Sequence, residues 1–254
     1  ITVLKNIFSF AAEPLKEITV NPVDGIQRIK VPKRKRVTWN DEVIQYFLNL
    51  AIVKNSPYYP MLCISLILGS RPGEVCGLKQ DALVNNPMSL VFDSGLNRYG
   101  NETEMKTDGS HRQIPIPEAL YKAIRRHIRW KQIIQMQDHD FARNDYLFVS
   151  PKGNPIKPDR YSKIFKRLIE KHNKSLEDYQ KEHEHLPDDA RFLPDIDLYG
   201  CRHSFATNAL ADKYDPALIS SIMGNSVKTL LTFYAHPDAE QQKELITNFS
   251  RKVL

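Results

Sequence analysis

The chain has 254 residues, a formal net charge of +6 and a sequence pI near 9.1. Apolar residues make up 41% of it, enough for a packed core, but no apolar run approaches the ~20 residues of a membrane-spanning helix. The three cysteines are isolated, which excludes a disulfide scaffold, and we expect reduced core cysteines in a cytoplasmic protein. The basic balance indicates nucleic acid or, less often, an anionic membrane surface as partner.

Residues 1–36 have the pattern of a domain end followed by a linker. Leu4, Phe8 and Ala11 recur at helical spacing. Twelve residues cannot bury such a face alone, and the chain opens without Met, so we expect the last helix of a domain and a piece of a longer protein. Residues 28–36, RIKVPKRKR, form either a solvated tether or a strap that neutralises DNA phosphates. The candidate phosphate contacts of this strap are Lys30, Lys33, Arg34, Lys35 and Arg36.

A second domain is predicted over residues 37–254, and it begins with helices. Thr38 and Asp41 resemble a capping box, and apolar residues follow at helical spacing. Residues 58–68 are apolar nearly all round, which predicts a buried helix that ends at Gly69.

The segment after this buried helix predicts the start of another one. Pro72 suits a first helical turn, so Arg71 would lie at the helix start. Glu74 would follow one turn later, within pairing reach of Arg71.

The next stretch changes to the two-residue period of strands. Residues 90–92 and 103–106 predict short strands, residues 108–109 are an Asp-Gly turn signal, and residues 112–117 alternate as a returning strand. Lys106 would then stand near the tip of this hairpin, on the side entering the turn.

A helix, a strand and a second helix are predicted next, over residues 118–135, 146–149 and 161–170. The inner face of the first helix is expected to consist of Leu120, Ile124, Ile128 and Ile133 or Ile134. Residues 171–190 are polar with mixed charge and predict an exposed helix or loop. The histidines of this segment are expected to be solvated rather than metal ligands, since no cysteine joins them; they are His172, His183 and His185.

Residues 198–237 form the central segment of the candidate site, because they contain both Arg202 and Tyr234. Arg202 lies in a helix-forming run. Gly224 is predicted to end one helix, and the polar residues after it to cap the next. Tyr234 then falls on or near a short helix.

The chain closes with a predicted helix over residues 239–253. It is expected to bury Leu245, Ile246 and Phe249 against its own domain or against a neighbouring subunit.

Together, Arg71, Lys106, Arg202 and Tyr234 suggest phosphoryl transfer. Two guanidinium groups offer planar forks to phosphodiester oxygens, an ammonium can protonate a leaving oxygen, and a phenol can be the nucleophile. No carboxylate cluster for Mg²⁺ accompanies them and no nucleotide-binding glycine motif occurs. We therefore expect metal-free chemistry without a cofactor. Taken singly, each residue has an ordinary alternative. Arg71 could form a surface ion pair with Glu74, and Lys106 could be solvated. Arg202 could hold the polar segment in place, and Tyr234 could be a packing residue.

Four segments resemble the boxes of the tyrosine recombinase (phage integrase) family, in the family's order and spacing. GSRPGEVCGL resembles the first arginine box and places Arg71, and MKTDGSHRQIPIP resembles the hairpin-lysine motif and places Lys106. RHSFAT resembles the second arginine box and places Arg202 and His203. MGNSVKTLLTFYAHP resembles the nucleophile box and places Tyr234.

The resemblance implies an α+β fold, mainly α-helical, in which an integrase-type catalytic domain contains a small antiparallel β-sheet. Residues 1–36 would be the end of a core-binding domain with its basic linker, and residues 37–254 the catalytic domain. Two positions depart from the family pattern. Tyr199 stands where the family usually has His, and Asn225 stands where it usually has His or Trp. Both stay among the catalytic candidates because each keeps a hydrogen-bonding group.

The implied function is site-specific DNA recombination that integrates or excises a mobile element. Tyr234 would form a 3′-phosphotyrosine intermediate, so no ATP is needed, and His203 would contact DNA. The implied partners are double-stranded DNA at specific core sites and three further copies in a synaptic homotetramer. The protein would be a monomer when free, cytoplasmic, associated with the nucleoid when DNA-bound, and without a membrane partner.

Two rival functions remain open from the sequence. One is a type IB topoisomerase-like nicking-closing enzyme that uses the same residues. The other is a DNA-binding accessory protein with weakened catalysis, which the departures at Tyr199 and Asn225 favour. The catalytic hypothesis predicts that Arg202→Ala leaves folding nearly intact and abolishes cleavage.

Overall fold

The computed structural model describes residues 1–26, 36–104 and 111–234, together with positions 243, 246, 247 and 250. The chain divides into two compact units, Ile1–Lys35 and Arg36–Leu254. The helices are α1 (Thr2–Ala12), α2 (Asp41–Asn49), α3 (Ala51–Lys54), α4 (Tyr59–Ile67), α5 (Pro72–Gly77), α6 (Glu118–Gln137), α7 (Pro158–His183), α8 (Leu198–Ala211), α9 (Pro216–Met223) and α10 (Val227–Tyr234). The strands are β1 (Leu83–Asn85), β2 (Met88–Phe92), β3 (Ser94–Leu96), β4 (Glu102–Glu104) and β5 (Arg112–Pro115). Helices predominate and the paired strands are short and antiparallel, which confirms the predicted fold class.

The first unit contains α1 and the irregular segment that follows it. Asn21 ties this segment to the helix, because its amide nitrogen donates to the carbonyl of Lys5 at 3.1 Å and to the hydroxyl of Ser9 at 2.9 Å. The predicted helix is confirmed, and none of its residues is buried within the unit. Its assignment to a core-binding domain stays a prediction.

The second unit is built around α4, in which residues 60–66 are all buried. An aromatic cluster packs beside it, with Trp39, Phe47 and Phe165 at ring-centroid distances of 5.1 to 5.7 Å. The prediction of a buried helix over residues 58–68 is therefore confirmed.

The cap of α2 differs from the predicted one. The side-chain oxygen of Asn40 accepts a hydrogen bond from the backbone N–H of Val43 at 3.0 Å. Asn40 is thus the N-cap, whereas Thr38 lies two residues too early to reach the first turn. The predicted Thr38–Asp41 capping box is wrong.

The strand pairing also differs from the predicted hairpin. In the described residues β5 pairs with β2, and β4 pairs with β3. The β5 register sets Ile114 against Leu90, and both side chains are buried, so burial decides this pairing. The predicted Asp-Gly turn and Lys106 lie outside the described residues.

A seam of glycines joins α5 to β3. A Cβ atom on Gly77 would come within 2.5 Å of the Gly95 backbone, and one on Gly73 within 2.6 Å of the Leu96 carbonyl oxygen. Because no side chain fits between them, the backbone of α5 lies directly on that of β3.

The predicted helix over residues 118–135 is confirmed as α6, but its inner face differs in the second half. Leu120 and Ile124 are buried as expected, and they are followed by His127 and Lys131. Ile133 is 47% exposed and Ile134 is half-buried, so of the two predicted alternatives Ile134 lies on the inner face.

The segment with the predicted strand over residues 146–149 is held by the buried Lys131 instead of by strand pairing. Its ammonium donates to the carbonyls of Asn144 at 2.9 Å and Tyr146 at 2.6 Å. The segment 146–149 forms only isolated bridges, Lys79 with Tyr146 and Val149 with Pro155, rather than the predicted strand.

The helix α7 is longer than predicted, and it buries one of the three histidines. Nε2 of His172 lies 3.3 Å from the Tyr46 hydroxyl and 3.1 Å from the Arg191 carbonyl. His172 is therefore a packing residue, and its predicted solvation is wrong, whereas His183 and His185 are exposed. Within the described ranges no three His, Cys, Asp or Glu side chains are grouped closely enough to hold a metal ion.

The three cysteines of the chain, Cys63, Cys76 and Cys201, are all buried thiols, as predicted. Burial raises the pKa of each, that of Cys63 to about 11. Over the described residues no helix is long and apolar enough to cross a membrane. The predicted last helix, with Leu245 and Phe249, lies almost wholly outside those residues. Ile246 is 69% exposed, so it is not buried against its own domain, and the predicted alternative of burial against a neighbouring subunit stays a prediction.

Candidate active site

Arg71 occupies the N-cap of α5, where the following Pro72 fits the first helical position. The Glu74 carboxylate accepts from the Arg71 backbone N–H at 3.0 Å and from its Nη1 at 2.6 Å. The predicted Arg71–Glu74 pair is therefore confirmed. It holds a guanidinium whose side chain stays 37% exposed, so Arg71 can still meet a ligand.

Three arginines converge on the C-terminal end of α9. The carbonyl of Ile222 accepts from Nε of Arg112 at 2.7 Å and the carbonyl of Met223 from Nη1 of Arg202 at 2.9 Å. The carbonyl of the next residue accepts from Nη2 of Arg71 at 3.1 Å. The last carbonyls of a helix lack intrahelical partners and form its negative end, so they attract and orient guanidinium groups.

The turn that ends α9 is made by Gly224 in the left-handed conformation, with φ +64°. It confirms the predicted helix end. The hydroxyl of Ser226 then accepts from the backbone N–H of Thr229 at 3.1 Å and caps α10, as predicted. This turn places Asn225 beside the guanidinium group of Arg71.

Asn225 is bound to Arg71 through its side-chain oxygen, which accepts from Nη2 at 2.7 Å. Because a guanidinium can only donate, the oxygen of the amide must face Arg71. The amide nitrogen of Asn225 is then directed elsewhere as a donor.

Arg202 is the most enclosed of the predicted residues, with 4% of its surface exposed. Nη1 donates to the carbonyl of Gly69, at the end of α4, at 2.6 Å, besides its bond to Met223. One guanidinium therefore joins α8 to the ends of α4 and α9.

Glu74 is the shared anion of two of these arginines, Arg71 and Arg112. Its second oxygen accepts from Nη2 of Arg112 at 2.8 Å. Burial alone would raise the pKa of Glu74, but the charges and hydrogen bonds of Arg112, and then Arg71, hold it below its usual value. Three guanidinium groups against one carboxylate leave the cluster positive, which suits a phosphate.

The other α8 candidates lie near the start of that helix. Tyr199 is 52% exposed, and Asp197 caps the helix by accepting from the Gly200 N–H at 2.6 Å. Burial, and next the charge of Arg36, lower the pKa of His203, so its imidazole is neutral at neutral pH.

The remaining predicted residues are less completely described. Arg36 is exposed. Tyr234 is the last residue of α10, although its side chain is not among those described. Lys30, Lys33, Arg34, Lys35 and Lys106 lie outside the described residues. Of the predicted set, the structure joins Arg71, Arg202 and Asn225 at one helix end.

Arg112 is the residue that our sequence reasoning missed. Its side chain is only 6% exposed, and it contacts both Glu74 and α9. A signal was present, because Arg112 falls in phase with the buried Ile114 and Ile116. Residues two apart in a strand share a face, and an arginine on a buried face must have partners.

Comparisons with known proteins agree on one family. A sequence model of the Phage integrase family matches residues 39–241. The chain is 30% identical over 188 residues to the transposase from transposon Tn916 of Enterococcus faecalis, covering 71% of this chain and 42% of that protein. It is 24% identical over 254 residues to the ICEBs1 integrase of Bacillus subtilis (strain 168), covering 96% of this chain and 62% of that protein.

The fold has solved counterparts as well. The structure of the Tn1549 transposon integrase in complex with transposon right-end DNA superposes with a TM-score of 0.72 at 24% identity, covering 97% of this chain and 76% of that chain. The chain spans about half the length of the curated relatives it matches. From the family match and the fold together, the chain belongs to the phage integrase family.

Proposed function

We propose that the protein is a site-specific DNA recombinase that breaks and rejoins strands through a tyrosine. The observation that carries this proposal is the convergence of Arg71 and Arg202 on the end of α9, two turns before Tyr234 along α10. Fixed donors at developing charge are worth about 10²–10³ each in rate. Residues 37–254 would be the catalytic domain, and residues 1–36 the end of a core-binding domain with a basic linker.

In this proposal the Tyr234 hydroxyl attacks the scissile phosphorus. A bond forms between the phenolic oxygen and phosphorus as the phenolic proton passes to solvent, the bond to the 5′ oxygen breaks, and Lys106 gives that oxygen its proton. Arg71 and Arg202 neutralise the non-bridging oxygens. Asn225 adds a neutral donor, and Tyr199 offers a hydroxyl where an imidazole is usual.

Rejoining reverses the same steps. The 5′ hydroxyl of a partner strand attacks the 3′-phosphotyrosine and gives its proton to Lys106, and Tyr234 leaves with a proton from solvent. The energy of the broken phosphodiester is kept in the covalent link, so neither ATP nor another cofactor is consumed.

Duplex DNA is the proposed partner, because the relatives are a transposase and an integrase and a solved counterpart is bound to transposon right-end DNA. The basic linker, with Lys30, Lys33, Arg34, Lys35 and Arg36, would neutralise phosphates, and His203 would add a neutral contact. Each phosphate contact should add roughly 0.9 to the log–log salt slope of binding. The protein would be a free monomer that forms a homotetramer at synapsis, acting in the cytoplasm on nucleoid DNA.

The test is a nicked duplex that carries the junction of the encoding element. The nick lets the short 5′-hydroxyl fragment leave, so a cleaved complex is trapped and migrates slowly on a denaturing gel. We expect an adduct with the wild type in EDTA and none with Tyr234→Phe, which keeps the ring and removes the nucleophile. An adduct that survives Tyr234→Phe would refute the assigned nucleophile.

A second candidate is a DNA-binding accessory protein with weakened catalysis. Tyr199 and Asn225 favour it, because a phenol is a poorer base than the usual imidazole, and an amide side chain neither takes up nor releases a proton near neutral pH. DNA binding without any adduct in the wild type, with an adduct restored in Tyr199→His/Asn225→His, would favour this candidate.

A further inference from the structure

Arg112 has an environment that the proposed chemistry leaves unexplained. It lies on β5, opposite Phe92 in the register with β2, and its guanidinium sits 4.5 Å from the centroid of that ring. Phe92 is fully buried. Stacking on an aromatic face holds a guanidinium by cation–π attraction and restricts it to one plane.

Each edge of this restricted guanidinium meets a part of the candidate site. Nη2 donates to Glu74 at 2.8 Å, and Nε donates to the carbonyl of Ile222 at 2.7 Å. A Cβ atom on Gly224 would come within 2.7 Å of Nη1. Arg112 therefore lies directly against the turn that presents Asn225.

These contacts close a ring. Arg112 binds Glu74, Glu74 binds Arg71, and Arg71 binds Asn225 and the carbonyl of Gly224. The turn returns to Arg112 through Ile222. In a closed ring, moving one member displaces the two on either side of it.

We propose that Arg112 is a positioning residue for DNA cleavage, which acts through Glu74 on Arg71 and through the end of α9 on Asn225 and the start of α10. The proposal rests on the function proposed above. The guanidinium of Arg112 is engaged by Glu74, by the Ile222 carbonyl and by the Phe92 ring, so Arg112 acts through these groups. It links β5, the strand that follows the Lys106 segment, to the end of α9, from which the chain continues through Asn225 into α10.

The experiment compares Arg112→Met and Arg112→Lys with the wild type on the nicked duplex. Met keeps the length and apolar stem, whereas Lys keeps the charge and loses the fork. We expect Arg112→Met to slow single-turnover adduct formation about 10²-fold, the scale of a small misplacement at a reacting centre. The DNA affinity of Arg112→Met at fixed salt should stay within about twofold of the wild type. Arg112→Lys should form the adduct at less than a tenth of the wild-type rate, since one ammonium cannot bridge both Glu74 and the Ile222 carbonyl.

A loss of stability must be separated from a loss of positioning. Leu176 is buried on α7, outside the ring, and Leu176→Ala or the milder Leu176→Val gives a control matched in melting temperature. All rates are measured at least 15 °C below the lowest melting temperature. Adduct formation in Arg112→Met at the rate of the matched control overturns the inference.

Non-additivity gives a readout that a purely structural role would not change. If Arg112 acts through Arg71, Arg112→Met should slow an Arg71→Ala protein by less than about fivefold. An undiminished 10²-fold effect in that background overturns the route through Glu74 and Arg71.

Hydrogen exchange separates this inference from the proposed function. We expect faster amide exchange over residues 222–230 in Arg112→Met than in the matched control, with or without DNA. A wild type that binds DNA and forms no adduct removes the proposed function and the cleavage role of Arg112 together. A wild type that forms the adduct, with exchange and rate unchanged in Arg112→Met, removes this inference alone.

Discussion

Two clusters of charged side chains in the second unit have the same geometry and opposite surroundings. Around Glu74, Arg71 and Arg112 donate at 2.6 and 2.8 Å, and the Glu74 side chain is 5% exposed. Around Lys79, the carboxylates of Glu102 and Asp145 accept at 2.6 and 3.0 Å, and their side chains are 56% and 70% exposed. Distance alone would rank the two clusters as equals.

The difference lies in what happens when one member is removed. At the exposed cluster water and salt replace the lost partner, so the pair contributes little. At Glu74 the carboxylate is buried, and its removal would leave the guanidinium of Arg112, 6% exposed, without this charge partner in a poorly solvated place. The buried cluster can therefore fix geometry, whereas the exposed cluster cannot be relied on to do so.

The sharpest way to break this comparison is Glu74→Gln set against Glu102→Gln. Each variant removes one carboxylate that accepts at 2.6 Å. We expect Glu74→Gln to lower the free energy of unfolding by about 3–5 kcal/mol, since it strands buried charge. Glu102→Gln should cost less than ~1 kcal/mol. Urea unfolding of both variants measures the difference, and equal losses would contradict the assigned role of burial.

His127 sharpens the comparison, because it is a buried titratable group beside a cation rather than a carboxylate. Burial, assisted by the charge of Lys131, lowers the pKa of His127 from 6.5 to about 4. In the unfolded chain His127 therefore becomes protonated near pH 6.5, whereas in the folded chain it stays neutral until about pH 4. The free energy of unfolding is therefore not reduced by His127 above pH 6.5, and it falls as the pH drops from 6.5 towards 4.

The expected size of that loss is on the order of 3 kcal/mol, at about 1.4 kcal/mol per pKa unit. Unfolding free energies measured in steps from pH 7 to pH 4 would show it. His127→Gln, which cannot titrate, should lose less over the same interval. A variant with an unchanged slope would assign the loss to other groups, such as His203, whose pKa is lowered as well.

The smallest predicted effect concerns a neutral cap at the surface. Asn40→Ala removes the side-chain oxygen that accepts from Val43, and we expect it to cost about 1 kcal/mol. Thr38→Ala, two residues earlier, should cost less than half of that, because Thr38 does not cap α2. Thermal unfolding of the two variants decides between the predicted and the observed cap.

The sequence was sufficient for features that depend on local pattern. The buried helix over residues 58–68, the Arg71–Glu74 pair and the Gly224 helix end all follow from spacing and from residue type within one or two turns. Strand pairing did not follow, since β5 had two possible neighbours and only the burial of Ile114 against Leu90 chooses between them.

Long-range polar contacts were hidden for the same reason. Nothing near Arg202 in the sequence shows that its guanidinium will reach the carbonyl of Gly69, 133 residues away. At 4% exposure, Arg202→Ala should reduce stability as well as cleavage, so the earlier expectation of nearly intact folding is not supported. Arg202→Lys is the better test of chemistry, because it keeps a cation in place.

The three cysteines have a practical consequence for watching this protein at work. Cys63, Cys76 and Cys201 are buried, and their raised pKa values keep them as thiols rather than the reactive thiolates. The native chain is therefore expected to react slowly with maleimides. A cysteine introduced at the exposed Leu218 would then be labelled almost alone, and a fluorophore there could report DNA docking without first removing any native cysteine.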